Sequence, residues 1–423
     1  MVQYIKNAEK KTFARDSETV KMVSDIIDQV IKNGDQELKG LSLKFDGIKL
    51  DKLRVSEETV KAAYAQVDEK TVEAMKFAAE QIHFYAQKQM ECLKPLEDVS
   101  QIEGVKLSHK LVPVDSVGAY VPGGRYPLPS TALMLAIPAR VAGVKRIAAC
   151  SPPAKANGGI HPAVLVAMDI AGVDEIYQVG GAQAVAALTY GTESIRKVDM
   201  IVGPGNRFVT EAKRQVLGEV GIDSLAGPSE VLIIADETAD PDFTAIDLLA
   251  QCEHDPNARA TLVTTSKKLA EETLVKVAQF AKELPTGAIS GQSWEDNGII
   301  MLVDSMEEAI EIANEMAPEH LEVQAKEEEH IAEKLLHFGS LFVGSCTPVT
   351  FGDYCSGTNH TLPTMRTARY SNGVWAGTFV KTAFVQHVSE QGCKNLSDHC
   401  IRLADVEGLM AHKKSVEIRV SKI

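Results

Sequence analysis

Short apolar runs alternate with helical segments through the middle of the chain, and this alternation is the feature that most constrains the fold. The runs have the length and branched side chains of buried strands, and the segments between them space apolar residues by three and four, as helices do. The predicted strands span 117–121, 146–150, 175–179 and 200–202, and the predicted helices span 130–142, 162–171, 182–190 and 206–217. Repeats of this kind form parallel sheets covered by helices.

The same alternation resumes further along, so the chain should contain a second α/β unit. Strands are predicted at 231–235, 260–264 and 298–303, with helices at 243–253 and 266–283. The flanking segments are mainly helical. They comprise a helix at 17–33 that ends at Asn33-Gly34, two helices between 56 and 93, and a helix at 395–412 followed by a strand at 415–420.

Composition excludes several classes of protein. The net charge of -14 argues against a nucleic-acid surface, which needs clustered lysine and arginine. No apolar run approaches the ~18 residues of a membrane span, and the first residues lack a signal-peptide pattern. The seven cysteines include no Cys-x-x-Cys pair, which predicts reduced thiols. We therefore expect a cytoplasmic protein that binds neither nucleic acid nor membranes.

The group best suited to hold a metal ion lies at the end of the predicted helix 243–253. Gln251 and His254 are three residues apart, so on a helix an amide oxygen and an imidazole nitrogen would share one face. Pro256 should end that helix. Cys252 lies between them and could be a thiolate ligand or a small buried residue. Taken alone, the pattern fits a polar helix end better than a metal site.

A second polar cluster places Glu319 beside His320, directly after Pro318. A proline in this position is typical of the start of a helix. The local pattern fits a helix cap with a solvated imidazole, and it also fits a pair of titrating groups that act in catalysis.

Two more clusters lie towards the C-terminal end. The segment 347–372 is too long and too polar for a plain connector, and it contains Asp353 and His360. Glu407 and His412 follow near the end of the chain, where a surface helix end is the simpler interpretation. Each cluster alone can be interpreted as a polar helix end or a surface loop. The occurrence of four such clusters on one chain makes a shared functional site a better interpretation.

Two glycine-rich turns, 180–183 and 203–206, follow predicted strands of the first α/β unit. Each could direct the N-terminus of a helix towards a phosphate group. Neither matches G-x-G-x-x-G, and a tight strand-to-helix turn explains each of them equally well. Strand-end loops of one parallel sheet converge on a common cleft, so the two turns together suggest nucleotide binding more strongly than either does alone.

In order and spacing, these clusters resemble the histidinol dehydrogenase family across essentially the whole chain. One motif would be weak, but seven in sequence are specific. The stretches that carry the resemblance are 117–124, 203–206, 226–230, 251–254, 317–322, 353–364 and 407–412.

The resemblance implies oxidation of L-histidinol through an aldehyde to L-histidine, with two NAD⁺ and one Zn²⁺ for each site. It implies that His320 takes the alcohol proton and that Glu319 activates the water that attacks the aldehyde. The implied zinc ligands are Gln251, His254, Asp353 and, from the partner subunit of a homodimer, His412. The implied substrate contacts are Ser229, Gln251, His254, His320, Asp353, His360, Glu407 and His412, and the implied NAD contacts are Tyr120, Gln183 and Asn206.

The expected fold class is α/β, with two Rossmann-like α/β/α domains, one inserted in the other, and small helical N- and C-terminal pieces. The expected domains are an N-terminal helical extension at 1–25, a catalytic domain at 26–119 plus 229–372, an NAD-binding domain at 120–228 and a C-terminal dimerisation domain at 373–423.

One stretch departs from the resemblance. Residues 365–377 are more similar to paralogues that oxidise other alcohols, such as a sulfonated propanediol, and Arg125 or Arg366 could then bind an anionic substrate. An inactive homologue that retains only the fold is a further alternative. The intact pair of Glu319 and His320 argues against it.

Overall fold

Two mainly parallel sheets, each covered by helices on both faces, form most of the protein. The computed structural model describes residues 2–8, 16–123 and 126–423. The strands are β1 Gln3–Lys6, β2 Leu96–Val99, β3 Val105–Pro113, β4 Ser116–Tyr120, β5 Arg146–Cys150, β6 Glu175–Tyr177, β7 Met200–Val202, β8 Gly221–Ile222, β9 Glu230–Ala235, β10 Arg259–Thr264, β11 Ile299–Leu302, β12 His320–Gln324, β13 Ser340–Val343 and β14 Val380–Val388. The helices are α1 Ser17–Phe45, α2 Glu57–Tyr64, α3 Glu69–Glu91, α4 Pro129–Val141, α5 Pro162–Ile170, α6 Gly181–Tyr190, α7 Arg207–Val216, α8 Pro241–Cys252, α9 Lys267–Glu283, α10 Gly287–Asn297, α11 Met306–Met316, α12 Glu328–Ala332, α13 Val349–Tyr354, α14 Glu390–Val406 and α15 Met410–Val420.

The first α/β unit is a parallel five-stranded sheet in the order β6-β5-β4-β7-β8. Every residue of β4 and β5 is buried, because helices cover both faces of the sheet. Residues of α2, α3, α4 and α5 form the core on one face, and residues of α1, α6 and α7 form it on the other. The predicted strand and helix alternation is therefore confirmed in this unit.

The second unit is a six-stranded sheet in the order β1-β11-β10-β9-β12-β13. Its strands are parallel except β1, which pairs antiparallel with β11 at one edge. Helices α8, α9 and α10 pack on one face, and α11 and α12 pack on the other. Since β1 precedes the five-stranded sheet in the chain and β9 follows it, the first unit is inserted in the second, as predicted.

A third, antiparallel sheet leads to the C-terminal piece. In it, β14 pairs with β3 from Val380 opposite Pro113 to Val388 opposite Val105, and β2 pairs with the other edge of β3. The helices α14 and α15 follow β14 and pack against each other. Within the described ranges, no helix is long and apolar enough to cross a bilayer.

The helices begin and break where polar and glycine residues permit it. The side chain of Ser56 accepts a hydrogen bond from the backbone of Thr59 at the start of α2, and Asp68 caps α3 in the same way. Residues 56–93 therefore form two helices, as predicted. The predicted helix end at Asn33-Gly34 is a break inside α1, where Gly34 adopts φ 53°.

The predicted strand at 415–420 is wrong, because these residues belong to α15. The apolar residues Val416, Ile418 and Val420 alternate with polar ones as in a strand. The segment nevertheless forms a helix, which packs against α14. Lys414 and Glu417 also pair at 3.3 Å with helical spacing. The predicted helix 395–412 is in fact two helices, since Gly408 takes φ 74° between them.

The N-terminal helices cover the five-stranded sheet. Helix α1 packs against α6 and α7, α2 packs against α5, and α3 packs against α4. Residues 26–119 are expected from the sequence to lie in the same domain as residues 229–372. The apolar faces of α1, α2 and α3 are buried against the inserted unit. Sequence periodicity shows that a helix has an apolar face, but it does not show which sheet that face will cover.

A buried polar network joins β12 to two helices of the six-stranded unit. The carboxyl group of Glu322 accepts hydrogen bonds from the backbone N–H of Val349 at 3.1 Å and from the amide of Gln324 at 3.0 Å. That amide also donates to Asp247 at 3.0 Å and accepts from the hydroxyl of Thr244 at 3.0 Å. Burial raises the pKa of Glu322 to about 8 and that of Asp247 to about 6.

The contribution of Glu322 to stability should therefore fall as the pH rises. The folded protein retains a proton on Glu322 that the unfolded chain releases above the ordinary glutamate pKa of 4.5. Between pH 5 and pH 8, the free energy of unfolding of the wild type should drop by about 2 kcal/mol relative to Glu322→Gln. Urea titrations of chelator-treated protein at several pH values measure this difference. Glu57→Gln, at an exposed site, should retain the wild-type slope, and equal slopes for all three proteins would contradict the prediction.

Candidate active site

The Glu319–His320 pair lies at the start of a central strand, and the predicted helix start is wrong. Ala317 adopts a left-handed conformation with φ 46°, which ends α11 and turns the chain. His320 then begins β12, which is paired on one side with β9 and on the other with β13. Both side chains of the pair are buried. The pair is therefore held rigidly inside the protein.

Glu230, the first residue of β9, orients both members of the pair. Its backbone N–H donates to Glu319 Oε2 at 2.9 Å, and its carbonyl oxygen lies 3.1 Å from His320 Nδ1. Since a carbonyl only accepts hydrogen bonds, Nδ1 carries a proton. Nε2 of His320 is buried, has no hydrogen-bond partner among the described residues, and lies 3.7 Å from Asp353 Oδ1. In the neutral ring, Nε2 is therefore free to accept a proton.

Burial and neighbouring charges shift the pKa values of the pair. Burial raises the pKa of Glu319 to about 8, although the positive charge of His320 opposes this shift. Burial alone would lower the pKa of His320, but the carboxylates of Glu319 and Asp353 raise it to about 9. Both groups are thus stronger bases than an ordinary glutamate and an ordinary histidine.

Gln251 and His254 lie at the end of α8, as predicted, although the helix ends at Cys252 and His254 follows it. A hydrogen bond of 3.4 Å from His254 N to Gln251 O continues the turn. Gln251 is buried, and in the described part of the chain its amide nitrogen has no partner. Burial lowers the pKa of the His254 ring, against the effect of Asp353, which favours the neutral imidazole that metal ions bind. Burial raises the pKa of Cys252 to about 12, so its sulfur is a thiol inside the core.

Asp353 lies in α13, a short helix within the segment 347–372 that the sequence predicts as a loop. Burial would raise the pKa of its carboxyl group, but His320, His360 and His254 lower it below its usual value. Asp353 is therefore a carboxylate that interacts electrostatically with three imidazoles. The structure thus brings together predicted site residues that are far apart in the chain.

His360 connects this site to the inserted unit. Its Nδ1 donates to the backbone carbonyl of Asp353 at 3.0 Å, and its Nε2 lies 3.3 Å from the hydroxyl of Thr131 in α4. Ser229 directly precedes Glu230 and β9, and its carbonyl accepts a hydrogen bond from Arg259 N at 2.9 Å. These residues place the site where the two α/β units meet.

Glu407 and His412 are not part of this cluster within one chain. Both are exposed on the C-terminal piece, Glu407 at the end of α14 and His412 in α15. Across the described residues, no group of three or more His, Cys, Asp or Glu side chains is arranged to hold a metal ion. Of the predicted ligands, a single chain contributes only two residues of those types to the cluster, His254 and Asp353.

The predicted NAD contacts lie at the carboxyl edge of the five-stranded sheet. Tyr120 ends β4 and Asn206 follows β7, where the strand order changes direction and α/β sheets usually bind ligands. The hydroxyl of Tyr120 accepts a hydrogen bond from Gly181 N at 3.0 Å, Asn206 caps α7, and Gln183 is buried in α6.

A buried ion pair that was not predicted from the sequence lies beneath the 203–206 turn. Lys213 pairs with Asp223 inside the protein, and its ammonium group also donates to Gly203 O at 2.9 Å. Asp223 in turn accepts a hydrogen bond from Gly203 N at 2.8 Å. The available signal was a lysine on the apolar face of α7, in step with Val209 and Val216.

Removing this lysine should destabilise the protein strongly, because it would leave Asp223 buried and unpaired. Lys213→Met should lower the free energy of unfolding by about 3–5 kcal/mol in urea denaturation. Lys267→Met is the matched control, since Lys267 forms an exposed pair with Glu271, and it should cost no more than about 0.5 kcal/mol. A small loss for Lys213→Met would show that the pair does not hold the turn.

Comparison with known proteins gives the family. A family model described as histidinol dehydrogenase matches residues 9–420. The chain belongs to the histidinol dehydrogenase family. It is 47% identical over 403 residues to the histidinol dehydrogenase of Methanocaldococcus jannaschii, covering 95% of this chain and 93% of that protein. It is 42% identical over 424 residues to a histidinol dehydrogenase homolog of Shouchella clausii, covering 100% of this chain and 99% of that protein.

The fold agrees with the histidinol dehydrogenase family. The crystal structure of histidinol dehydrogenase from Elizabethkingia anophelis has a TM-score of 0.92 to this chain at 38% identity, covering 98% of this chain and 94% of that one. The resemblance inferred from the seven stretches is confirmed, and so is the predicted α/β class. This member of the histidinol dehydrogenase family is therefore an oxidoreductase.

Two glutamates of this histidinol dehydrogenase family member were assigned no role from the sequence. Glu230 orients Glu319 and His320 through its backbone, and its side chain accepts a hydrogen bond from Met365 N at 2.8 Å. Glu322 lies in β12, where every residue is buried. A charged residue inside an otherwise apolar strand pattern was the available signal for Glu322. A role that depends on backbone atoms, like that of Glu230, leaves no pattern in the side chains.

Proposed function

We propose that this protein oxidises L-histidinol to L-histidine through the aldehyde, with two NAD⁺ and one Zn²⁺ for each site. The observation that carries the proposal is the convergence of Glu319 and His320 with Asp353 and His254 in a member of the histidinol dehydrogenase family. Gln251 lies one turn before His254. NAD⁺ would accept the hydride in each oxidation, and a Zn²⁺ held by Gln251, His254 and Asp353 would orient the substrate. The side chains of this protein do the remaining work.

His320 takes the proton of the substrate hydroxyl. Its Nδ1–H is held by the carbonyl of Glu230, which leaves Nε2 to act as the base. The carboxylates of Glu319 and Asp353 stabilise the imidazolium that forms, as the raised pKa of His320 indicates. The ring therefore needs no reorientation when it accepts the proton.

Glu319 activates the water that attacks the aldehyde. Its Oε2 is held by the backbone N–H of Glu230, which fixes the orientation of the carboxyl group. Burial raises the pKa of Glu319 to about 8, so its carboxylate is a stronger base for water than an exposed glutamate. Hydration turns the aldehyde into a diol that carries a hydroxyl for the second oxidation. His320 can take that proton too, once it has released the first proton to solvent.

The residues present fit a zinc ion. The amide of Gln251 is buried, and its nitrogen has no hydrogen-bond partner in the described ranges. Since no hydrogen bond from those ranges fixes the amide through that nitrogen, its oxygen, the atom that binds metal ions, can turn towards a ligand. Low pKa values favour a neutral imidazole at His254 and a charged carboxylate at Asp353, the forms that bind metal. Nitrogen and oxygen donors suit Zn²⁺. The fourth ligand, His412, would come from the partner subunit.

A homodimer explains the exposed C-terminal piece. Phe384 on β14 is 82% exposed and Val406 at the end of α14 is 76% exposed. Leu403, Leu409 and Met410 extend this apolar surface, and no residue of α15 is buried. A monomer rarely leaves so much apolar surface uncovered, so we propose that this piece packs on a second copy and delivers His412 and Glu407 to its site.

The proposed function is tested by measuring NADH formation with L-histidinol and NAD⁺. Zinc-loaded protein should produce two NADH for each L-histidinol consumed, with L-histidine as the product. Removal of the metal by a chelator should abolish activity, and the addition of Zn²⁺ should restore it. If the zinc-loaded protein forms no NADH from L-histidinol, L-histidinol is excluded as the substrate.

Glu319→Gln should separate the two oxidations, because only the second needs an activated water. With L-histidinol, aldehyde formation should persist within about tenfold of the wild type, while acid formation should fall by about 10²-fold or more. Trapping of the aldehyde and quantification of L-histidine measure the two steps. His320→Asn is the comparison variant and should impair both. Equal losses of both steps in Glu319→Gln would contradict the role of Glu319.

Mixed dimers should show whether His412 crosses the interface. His412→Asn and His254→Asn homodimers should each be nearly inactive, because each lacks a ligand at both sites. After the two proteins are unfolded together and refolded, about half of the dimers are mixed and each mixed dimer contains one intact site. About a quarter of wild-type activity should return. No recovery would show that each site is built within one chain.

A second candidate function is the oxidation of an alcohol that carries an anionic group, such as a sulfonated propanediol. Met365 and Arg366 have φ 52° and 67°, a strained backbone that is joined to Glu230 by the hydrogen bond from Met365 N. Gly227 N also donates to Thr364 at 2.6 Å. Arg366, however, lines a surface groove with Glu311, Glu315 and Arg369. Arg125 lies outside the described residues.

The two substrates can be compared directly. If the second function is correct, the sulfonated diol should give the higher kcat/KM, and Arg366→Ala should reduce that value by about tenfold or more. A higher kcat/KM for L-histidinol, with no effect of Arg366→Ala, would favour the first function.

A further inference from the structure

We infer that Glu322 is a positioning residue that sets the location of Asp353 relative to Gln251 and His320. The inference rests on the proposed function, because it concerns groups proposed to bind zinc and to accept the substrate proton. Glu322 does not face the reacting atoms. It acts through the helix and the strand that carry these groups.

A layer of buried polar contacts lies directly beneath the site. In this layer Glu322 on β12 accepts from the backbone of α13, and Gln324 connects Glu322 to Asp247 on α8. Three members of the layer lie one helical turn or one strand pleat from a residue of the site. These pairs are Asp247 with Gln251, Val349 with Asp353, and Glu322 with His320.

Helix α13 depends on Glu322 for its N-terminal cap. The helix has only six residues, and a helix this short is not stable in isolation. Its N-cap residue is Pro348, which provides no side-chain hydrogen bond to the first turn. The carboxyl group of Glu322 instead accepts a hydrogen bond at 3.1 Å from the buried N–H of Val349, which has no partner within the helix. Asp353 is near the other end of the helix, so its position follows from this cap.

The network is also held on its far side. Gln324 Nε2 donates to both Glu322 and Asp247, and its carbonyl oxygen accepts from Thr244. Glu322 and Gln324 are buried, so water cannot readily replace a lost hydrogen bond. A shift of Glu322 would therefore move α13 relative to α8 and separate Asp353 from Gln251.

The test is the affinity of the full-length protein for Zn²⁺, measured by competition with a chromophoric chelator. Glu322→Ala should bind Zn²⁺ at least about tenfold more weakly than the wild type, as is typical when support for a metal ligand is lost. Glu322→Gln should recover most of this affinity, because its amide oxygen can still accept from Val349 N. Glu211→Ala is the control, since Glu211 is buried in α7 of the other unit, and it should leave the affinity unchanged.

Val349→Pro tests the same contact without removing the carboxyl group. Proline is tolerated at the first position of a helix but has no N–H to donate. The preceding Pro348 has φ -69° and ψ 154°, a conformation compatible with a following proline. This variant should also lose at least about tenfold in Zn²⁺ affinity, even if Glu322→Ala does not fold.

Two outcomes separate this inference from the proposed function. If the wild type binds Zn²⁺ and oxidises L-histidinol but the folded Glu322→Ala and Val349→Pro variants bind Zn²⁺ as tightly as the wild type, the positioning role is wrong and the function stands. A circular dichroism spectrum equal to that of the wild type shows that a variant is folded. If the wild type itself binds no Zn²⁺, the proposed function fails, and the inference fails with it.

Discussion

The active site depends on the position of β12 inside the six-stranded sheet. Because β12 is paired on both sides, the Glu319–His320 pair is buried at its start. Glu230 on the neighbouring strand holds one group by its N–H and the other by its carbonyl. Parallel pairing of two strands thus fixes the orientation of an acid and a base, and burial then shifts the pKa of both.

The other groups reach this pair from the ends of elements of the six-stranded unit, at its boundary with the inserted unit. Gln251 and His254 come from the end of α8, Asp353 comes from α13, and His360 links them to α4 of the inserted unit. A site at such a boundary can combine a substrate cluster from one unit with a nucleotide cleft from the other. The C-terminal piece leaves an exposed apolar surface, which agrees with the proposal that a second subunit completes the site.

Much of the fold could be predicted because the spacing of apolar residues along the chain indicates which side of a helix or strand is buried. The strands β4 to β7 and β9 to β11 follow from apolar runs, but β14 is mostly exposed and has no such pattern. The strand predicted at 415–420 fails because alternating valine and isoleucine residues also fit one side of a helix. The residues that surround Glu319 and His320 followed from a family resemblance. Glu322 and Lys213 did not, because partners from distant parts of the chain determine what they do.

The central claim is that one divalent ion binds among residues that the fold brings together. Anomalous diffraction from crystals of the zinc-loaded protein, recorded on both sides of the zinc absorption edge, tests it most directly. One anomalous peak is expected for each active site, from a zinc ion bound by Gln251, His254 and Asp353 of one chain and by His412 of its partner. A peak at other residues, or no peak in protein that is active with L-histidinol, would contradict it.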